Sequence, residues 1–233
     1  MLLLGLDTAT LTLSAALVLR EGPDERVLAR AERPPPTPHS DLLPELLAQM
    51  LAGAGAGPRD LTALIIGLGP GSFTGLRIGL ATAKGLCYAA GVPLVGASSL
   101  AAMALAAAPD AEEGELLVPC LDARKGEVYC GLFRRRGGGI ELEGAEMAMG
   151  PEALASRLLP ERAQVFGIGR DAYGPLRAFA PPRTRIRTPD AAALVRLVAA
   201  IPAYDKQALF ALEPHYVRPP DSEWTIKPKK ALR

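Results

Sequence analysis

An excess of charge is the first thing this chain lacks: 26 basic against 25 acidic residues leave a formal net charge of +1. With no global field to draw a polyanion, any contact with RNA has to be local or come through a partner. Histidine is scarcer still, present at His39 and His215 only. One helical turn on from His39 stands Leu43, so that imidazole has no second ligand there and reads as a cap or surface residue. The three cysteines, Cys87, Cys120 and Cys130, are an odd number at no metal or disulfide spacing, which predicts reduced core thiols. Long apolar runs are missing too. The blandest stretch, Val92 to Ala108, is interrupted by Ser98 and Ser99 and falls short of the ~20 residues of a membrane span. The opening MLLLGLD reaches an acid at Asp7 without a basic head or cleavage site, so a strand is expected there and not a signal peptide. These absences predict a cytoplasmic chain without a membrane segment. What is abundant is apolar residue, 49% of 233, enough for one large domain or two small ones.

The most informative stretch is GLGPGSFTGLRIGLATAKG, Gly67 to Gly85. An apolar run, Leu61 to Ile66, precedes it and predicts a buried strand. Gly67, Gly69, Gly71 and Gly75 then gather around Pro70, and beyond them Leu76, Gly79, Leu80, Ala83 and Cys87 fall at helical spacing, with Ser72 or Thr74 as cap. A phosphate-cradling P-loop needs Lys-Ser/Thr after its last glycine, where Leu76-Arg77 stands. The dinucleotide fingerprint fails at Ser72, which takes the place of the third glycine. A tight turn feeding a packed helix is therefore preferred over an independent phosphate site, and Gly79 and Ala83 would let another helix come close.

Elsewhere, strands are expected over Leu2–Leu6, Leu13–Leu19 and Arg26–Glu32, the first followed by the turn Asp7–Thr10. Pro34 to Pro38 makes a stiff spacer. A helix from Ser40 to Ala52, capped by Ser40 with Pro44 in its first turn, would carry Leu42, Leu43, Leu46, Leu47, Met50 and Leu51 on one face. A short strand at Pro93–Ala97 leads to a helix near Ser99–Ala107. Leu116 to Asp122 then repeats the pattern of Leu2 to Asp7, an apolar strand ending in Leu-Asp, which suggests two structurally similar halves. A polar turn, Ala123 to Gly126, and an alternating strand, Glu127 to Phe133, follow. Arg134 to Gly139 reads as a solvated hairpin tip. A helix (Pro151–Leu159), a strand (Gln164–Ile168) and a helix (Pro189–Ala200) complete the second half. The tail from Pro214, with Trp224, Lys227, Lys229 and Lys230, shows no periodicity and is expected to be a strap or a partner-binding end.

Asp7-Thr8-Ala9-Thr10, His39-Ser40, the run Gly69 to Gly79 (with Gly71, Ser72, Thr74, Gly75 and Arg77) and Leu121-Asp122-Ala123-Arg124-x-Gly126-Glu127-Val128-Tyr129 together resemble the TsaB (YeaZ) family of bacterial tRNA threonylcarbamoyladenosine biosynthesis proteins. The segment Pro214 to Arg218 and Glu223-Trp224 is similar to that family's tail. The resemblance implies an α/β actin-like ATPase fold: two ribonuclease-H-like halves with mixed sheets, residues 1–110 and 111–213, and a tail over 214–233. It implies a non-catalytic subunit that works with the catalytic paralogue TsaD and the ATPase TsaE to threonylcarbamoylate the adenosine 3′ of the anticodon in tRNAs reading A-starting codons. The same resemblance has TsaB meeting TsaD, or a second copy of itself when TsaD is absent, through a four-helix bundle. The residues expected at that surface are Leu43, Leu46, Leu47, Met50, Leu76, Gly79, Leu80 and Ala83, any of which could instead be core.

The catalytic paralogue carries a metal-binding His-x-x-x-His that falls here on Ser99 and Met103, a poor ligand and one of the wrong softness. No metal and no cofactor are expected. Asp7 and Asp122 lie beside side chains where phosphate hairpins of this superfamily have glycine, and read as turn residues that bond nearby backbone. Gly167-Ile168-Gly169-Arg170 is the nearest candidate for an adenine pocket. The alternative function, a small-molecule kinase or ATPase of the superfamily, would need a catalytic acid and two glycine-bearing phosphate loops. A peptidase would need a nucleophile–base pair.

Overall fold

In a computed structural model, residues 1–34, 39–159 and 161–218 are described, and for 39–42 the backbone only. The first sheet is built on β1 (Leu2–Asp7), with β2 (Leu13–Glu21) antiparallel to it and β3 (Asp24–Arg33) beyond. On the other side of β1 lie β4 (Ala63–Gly67) and β5 (Leu94–Ala97), both parallel, giving the order β3-β2-β1-β4-β5. Apolar residues cover both faces of β1 and β4, which is why these strands lack polar alternation. Leu4, Leu6, Leu64 and Ile66 face α1 (His39–Gly53) and α2 (Phe73–Ala90). Leu3, Ala63 and Ile65 belong to a second cluster on the opposite face.

α1 begins earlier than Ser40, so Pro44 is its sixth residue and not in the first turn. The helix forgoes the hydrogen bond a donor there would make, on a face where Pro44 is exposed. Ser40 is thus inside the helix and not its cap, while the spacer around Pro36, the side chains of His39 and Ser40 and the tail beyond Arg218 lie outside the described residues.

The second sheet repeats the plan. β6 (Leu116–Arg124) has the parallel β11 (Ala163–Phe166) on one side and antiparallel neighbours on the other. Those neighbours are β7 (Glu127–Cys130) and β8 (Phe133–Arg136), which share one register: Cys130 faces Cys120 and Phe133 faces Leu117. The single strand expected over Glu127–Phe133 is thus interrupted at Gly131-Leu132 and runs on to Arg136. A side chain at Gly131 would come within 2.6 Å of the Phe133 ring, so the break falls where only glycine fits. β9 (Gly139–Leu142) pairs with β8, and β10 (Met147–Met149) with β7. α3 (Ser99–Ala107) lies between the two sheets, touching β6, and α4 (Pro151–Leu158) covers the outer face; after β11, α5 (Ile168–Ala172) packs on β6 and α6 (Gly174–Arg177) on α4.

The three arginines expected at a solvated tip are in β8 itself; the tip is Gly137-Gly138, both with positive φ. Arg134 forms a forked pair with Glu143, and Arg136 pairs with Glu141 at 3.1 Å. The three cysteines are free and buried. Burial pushes the Cys87 and Cys130 thiols up to about 12.

The chain then crosses back. α7 (Ala191–Leu197), which the sequence assigned to the second half, packs on β1, β2 and α3 of the first. Its start is held by its cap Asp190, which pairs with Arg30 of β3, and by Ser14, whose hydroxyl accepts from Ala191 N at 3.0 Å. The carbonyls of Val195 in its last turn and of its cap Val198 each accept from the buried Arg20 guanidinium at 2.7 Å. A cation at a helix C-terminus favours the dipole and satisfies carbonyls the helix leaves unpaired. α8 (Lys206–Ala211) adds Leu209 to the first core.

Candidate functional site

The glycine loop sits where β4 ends and α2 starts, and its glycines are filled by the chain's own Asp7–Thr10 turn. Side chains at Gly71 and Gly75 would overlap the carbonyls of Ala9 and Thr8, and one at Gly79 would overlap the Thr8 hydroxyl. Ser72 N donates to Ala9 O at 2.7 Å, and Ser72 Oγ caps α2 by accepting from Gly75 N. Gly69 takes the left-handed conformation, φ 99°, that the loop requires. Turn and loop are one packed unit.

Asp7 is 1% exposed. Its Oδ1 accepts from Ala9 N at 2.8 Å and its Oδ2 from Ser99 Oγ at 2.6 Å, while Ser99 Oγ itself accepts from Gly69 N at 3.2 Å. Ser99 and Met103 are both fully buried, and Met103 packs beneath Gly167. Asp122 makes the same local bond, accepting from Arg124 N at 2.9 Å, and also accepts from the Tyr173 hydroxyl at 2.9 Å. Arg124 and Lys125 both have positive φ, 59° and 53°, which turns the hairpin tightly and leaves both side chains exposed. A cleft of about 300 Å³ separates the two acid-bearing turns. Thr10, Ser72 and Thr74 line one wall, and Asp122, Arg124 and Arg218 the other.

The segment after α8 bridges that cleft. His215 N donates to Leu68 O at 2.8 Å. The Tyr216 ring stacks against Phe73 at 5.3 Å between centroids, and its hydroxyl accepts from Arg77 Nε at 3.1 Å; Arg77 lies over the same Phe73 ring. Arg218 then reaches the other half, pairing with Glu127 at 2.7 Å and donating to Ala123 O at 3.0 Å. Arg77, singled out as a motif residue, therefore acts as an anchor for this strap.

Glu146, which nothing in the sequence marked, belongs to the same junction. Its carboxylate accepts from Ser98 Oγ, and its other oxygen is 3.4 Å from His215 Nδ1. Burial pushes Glu146 above the usual carboxylate range, with Ser98 and His215 pulling it back. A serine, a histidine and a glutamate thus meet, but the serine hydroxyl donates to the carboxylate and not to the imidazole. The nucleophile–base pair of a hydrolase is not formed by this trio.

The eight residues offered as a partner surface are all inward-facing. Leu43, Leu46, Leu47, Met50, Leu76, Leu80 and Ala83 are at most 7% exposed, and Gly79 is buried against Thr8. Periodicity finds the apolar face of a helix but not what covers it, and here the chain's own sheet does. The outward faces are different ones: Glu45, Ala48, Gln49 and Ala52 on α1, and Phe73, Ala81, Gly85, Tyr88 and Ala89 on α2.

Comparison with known proteins agrees with this architecture. Residues 36–193 match the family model described as TsaD: tRNA N6-adenosine threonylcarbamoyltransferase. The tRNA threonylcarbamoyladenosine biosynthesis protein TsaB of Haemophilus influenzae is 32% identical over 226 residues, 93% of each chain. That of Escherichia coli is 37% identical over 159 residues, 68% of this chain and 66% of its own. Among solved structures, YeaZ from Pseudomonas aeruginosa superposes with a TM-score of 0.70 at 30% identity, covering 84% of this chain and 91% of that one. A second Pseudomonas aeruginosa structure, described as an uncharacterized protein with similarity to peptidase YeaZ, reaches 0.76 at 28% identity, covering 93% and 99%. With near full-length identity above 30% and a shared two-sheet α/β actin-like architecture, the chain belongs to the TsaB (YeaZ) family of tRNA threonylcarbamoyladenosine biosynthesis proteins.

Proposed function

We propose that this chain takes part in tRNA threonylcarbamoyladenosine biosynthesis as a non-catalytic subunit, beside a TsaD-type catalytic paralogue and a TsaE-type ATPase. The observation that carries the reading is the state of Asp7. An acid that handled phosphate or metal in this fold would face the cleft with open coordination. Here it is buried and tied to Ala9 N and Ser99 Oγ, while a thioether occupies the second position at which the paralogue's motif has histidine. The glycines alongside receive the chain's own turn, which supports a loop kept for its shape. On this reading residues 1–110 and 111–213 are the two halves, with α7 lent back to the first, and the tail begins at Pro214.

The partner surface is assigned to the outward faces of α1 and α2, where Ala48, Ala81, Gly85 and Ala89 would let helices of the paralogue, or of a second copy, approach closely. Reconstituting tRNA modification from the paralogue and ATPase with and without this chain tests the role. Loss of modification without the chain is expected. Modification by this polypeptide alone, or turnover of Mg-ATP by it alone, would overturn the non-catalytic assignment.

A further inference from the structure

With a net charge of +1, basic residues collected in one place stand out. Between positions 170 and 187 there are five arginines, Arg170, Arg177, Arg183, Arg185 and Arg187, no lysine, and one acid, Asp171. Three of them alternate: Arg183, Arg185 and Arg187 are exposed, while Thr184 is buried and Ile186 is half-buried between them. The alternation sets the three arginines outward on a segment that lies outside the two sheets but is fastened along its length. Arg183 N donates to the Gln164 side chain at 2.9 Å, Ile168 N donates to Arg187 O at 3.0 Å, and Ile186 packs into the cluster that contains Phe166. The arginines are presented by a fixed edge.

Their charge is incompletely answered. Arg183 is answered by Glu115 and Glu112 and donates to Asp110 O at 2.8 Å, whereas Arg187 has Asp171 alone, at 2.7 Å. Arg170 reaches the same Asp171 only at 3.5 Å, and its Nε is buried without an acceptor. Arg185 has no hydrogen-bond or ion-pair partner among the described residues. Arg170, Arg185 and Arg187 surround a hollow of about 310 Å³ with Asp171 as its single acid, a surplus of positive charge around a concave surface.

We propose that this edge, residues 185–187 with Arg170 behind it, is where the chain grips the phosphate backbone of RNA. The inference rests on the tRNA-modification reading above and adds the site of contact. Guanidinium is the side chain suited to bidentate phosphate contact. Residues two apart along a chain are at most ~7 Å apart, a reach close to the step between successive phosphates of a nucleic-acid strand. A lone inorganic phosphate would fill one such step; a polynucleotide fills the row. No base-reading pocket accompanies the row, so the contact holds and orients RNA without choosing its sequence.

The test uses the complex of this chain with its catalytic paralogue and measures binding of unmodified tRNA at a series of salt concentrations. Arg185→Ala and Arg187→Ala should each weaken binding several-fold, and each should lower the slope of log K against log salt by roughly 0.7–0.9. Arg185→Lys should keep most of the affinity. Arg136→Ala, at an exposed arginine on β8, should change neither quantity, and unchanged melting temperatures show that the variants are folded. If the double variant Arg185→Ala/Arg187→Ala binds tRNA as the parent does, the proposal is wrong. It is equally wrong if inorganic phosphate displaces tRNA beyond its ionic-strength effect, which would mark a small-anion site. Displacement by polyglutamate as effectively as by RNA of equal charge would point to an acidic protein and also overturn it. A modification assay on the same samples separates the two levels. Modification that does not need this chain refutes the underlying reading, whereas a required chain whose double variant binds normally refutes only this contact.

Discussion

A side chain on Gly79 has nowhere to go. Gly79→Leu and Ala83→Glu would be natural choices for disrupting a partner helix if those positions were at the surface. Instead Gly79 lies on the Thr8 hydroxyl and Ala83 is fully buried. Gly79→Leu should therefore destabilise the isolated chain by about 2 kcal/mol or more through overpacking, and Ala83→Glu by on the order of 3 kcal/mol through an unpaired buried carboxylate. Urea titration of the purified chain checks both. Glu146 makes a prediction of opposite sign. Its folded pKa is raised by burial, so as pH climbs above ~4.3 the unfolded state loses its proton first and folding stability declines. The decline begins in the usual carboxylate range and ends once pH has passed the raised folded value. Glu146→Gln should flatten that slope in melting temperature against pH; an unchanged slope would mean the carboxylate is compensated in the folded chain.

At the scale of elements, the outward face of α2 offers a cleaner probe of assembly than its core face. Nothing lies within 4 Å of a side chain built on Gly85. Gly85→Ala should stabilise the isolated chain by about 0.5–1 kcal/mol, the ordinary gain for a mid-helix glycine. Gly85→Leu should fold equally well and weaken capture of the catalytic paralogue; undiminished capture would move the interface elsewhere. The same helix shows what the sequence made legible. Its buried face follows from spacing, and of the two caps that spacing allowed, Ser72 and Thr74, the helix uses Ser72. The side on which a partner docks does not, because apolar periodicity marks burial of any kind. The Leu-Asp repeat at Asp7 and Asp122 disclosed the two sheets: each acid accepts from the backbone N–H two residues on, although β1 ends at Asp7 while β6 runs on to Arg124. Glu146 and Tyr173 were invisible, because each draws its meaning from a contact across 48 or 51 residues. The break at Gly131-Leu132 was hidden for a similar reason: a glycine inside an alternating strand is ambiguous until the Phe133 ring is placed beside it.

For the molecule as a whole, the path of the backbone matters more than any single contact. It builds one sheet, leaves to build the second, and returns with α7 clamped between Arg20 and Arg30 before the last described residues tie both halves at Arg77 and Arg218. A protease cut in the exposed link at residues 112–114 should therefore yield two fragments that travel together on a sizing column and separate only in denaturant. Fragments that part spontaneously would show that the return of α7 contributes little. Threading of this kind has a corollary for how the polypeptide is made. The first sheet emerges from the ribosome with one face bare and receives its missing cover only after nearly two hundred residues have been synthesised, so the N-terminal portion must wait, unfinished, for a helix made long after it.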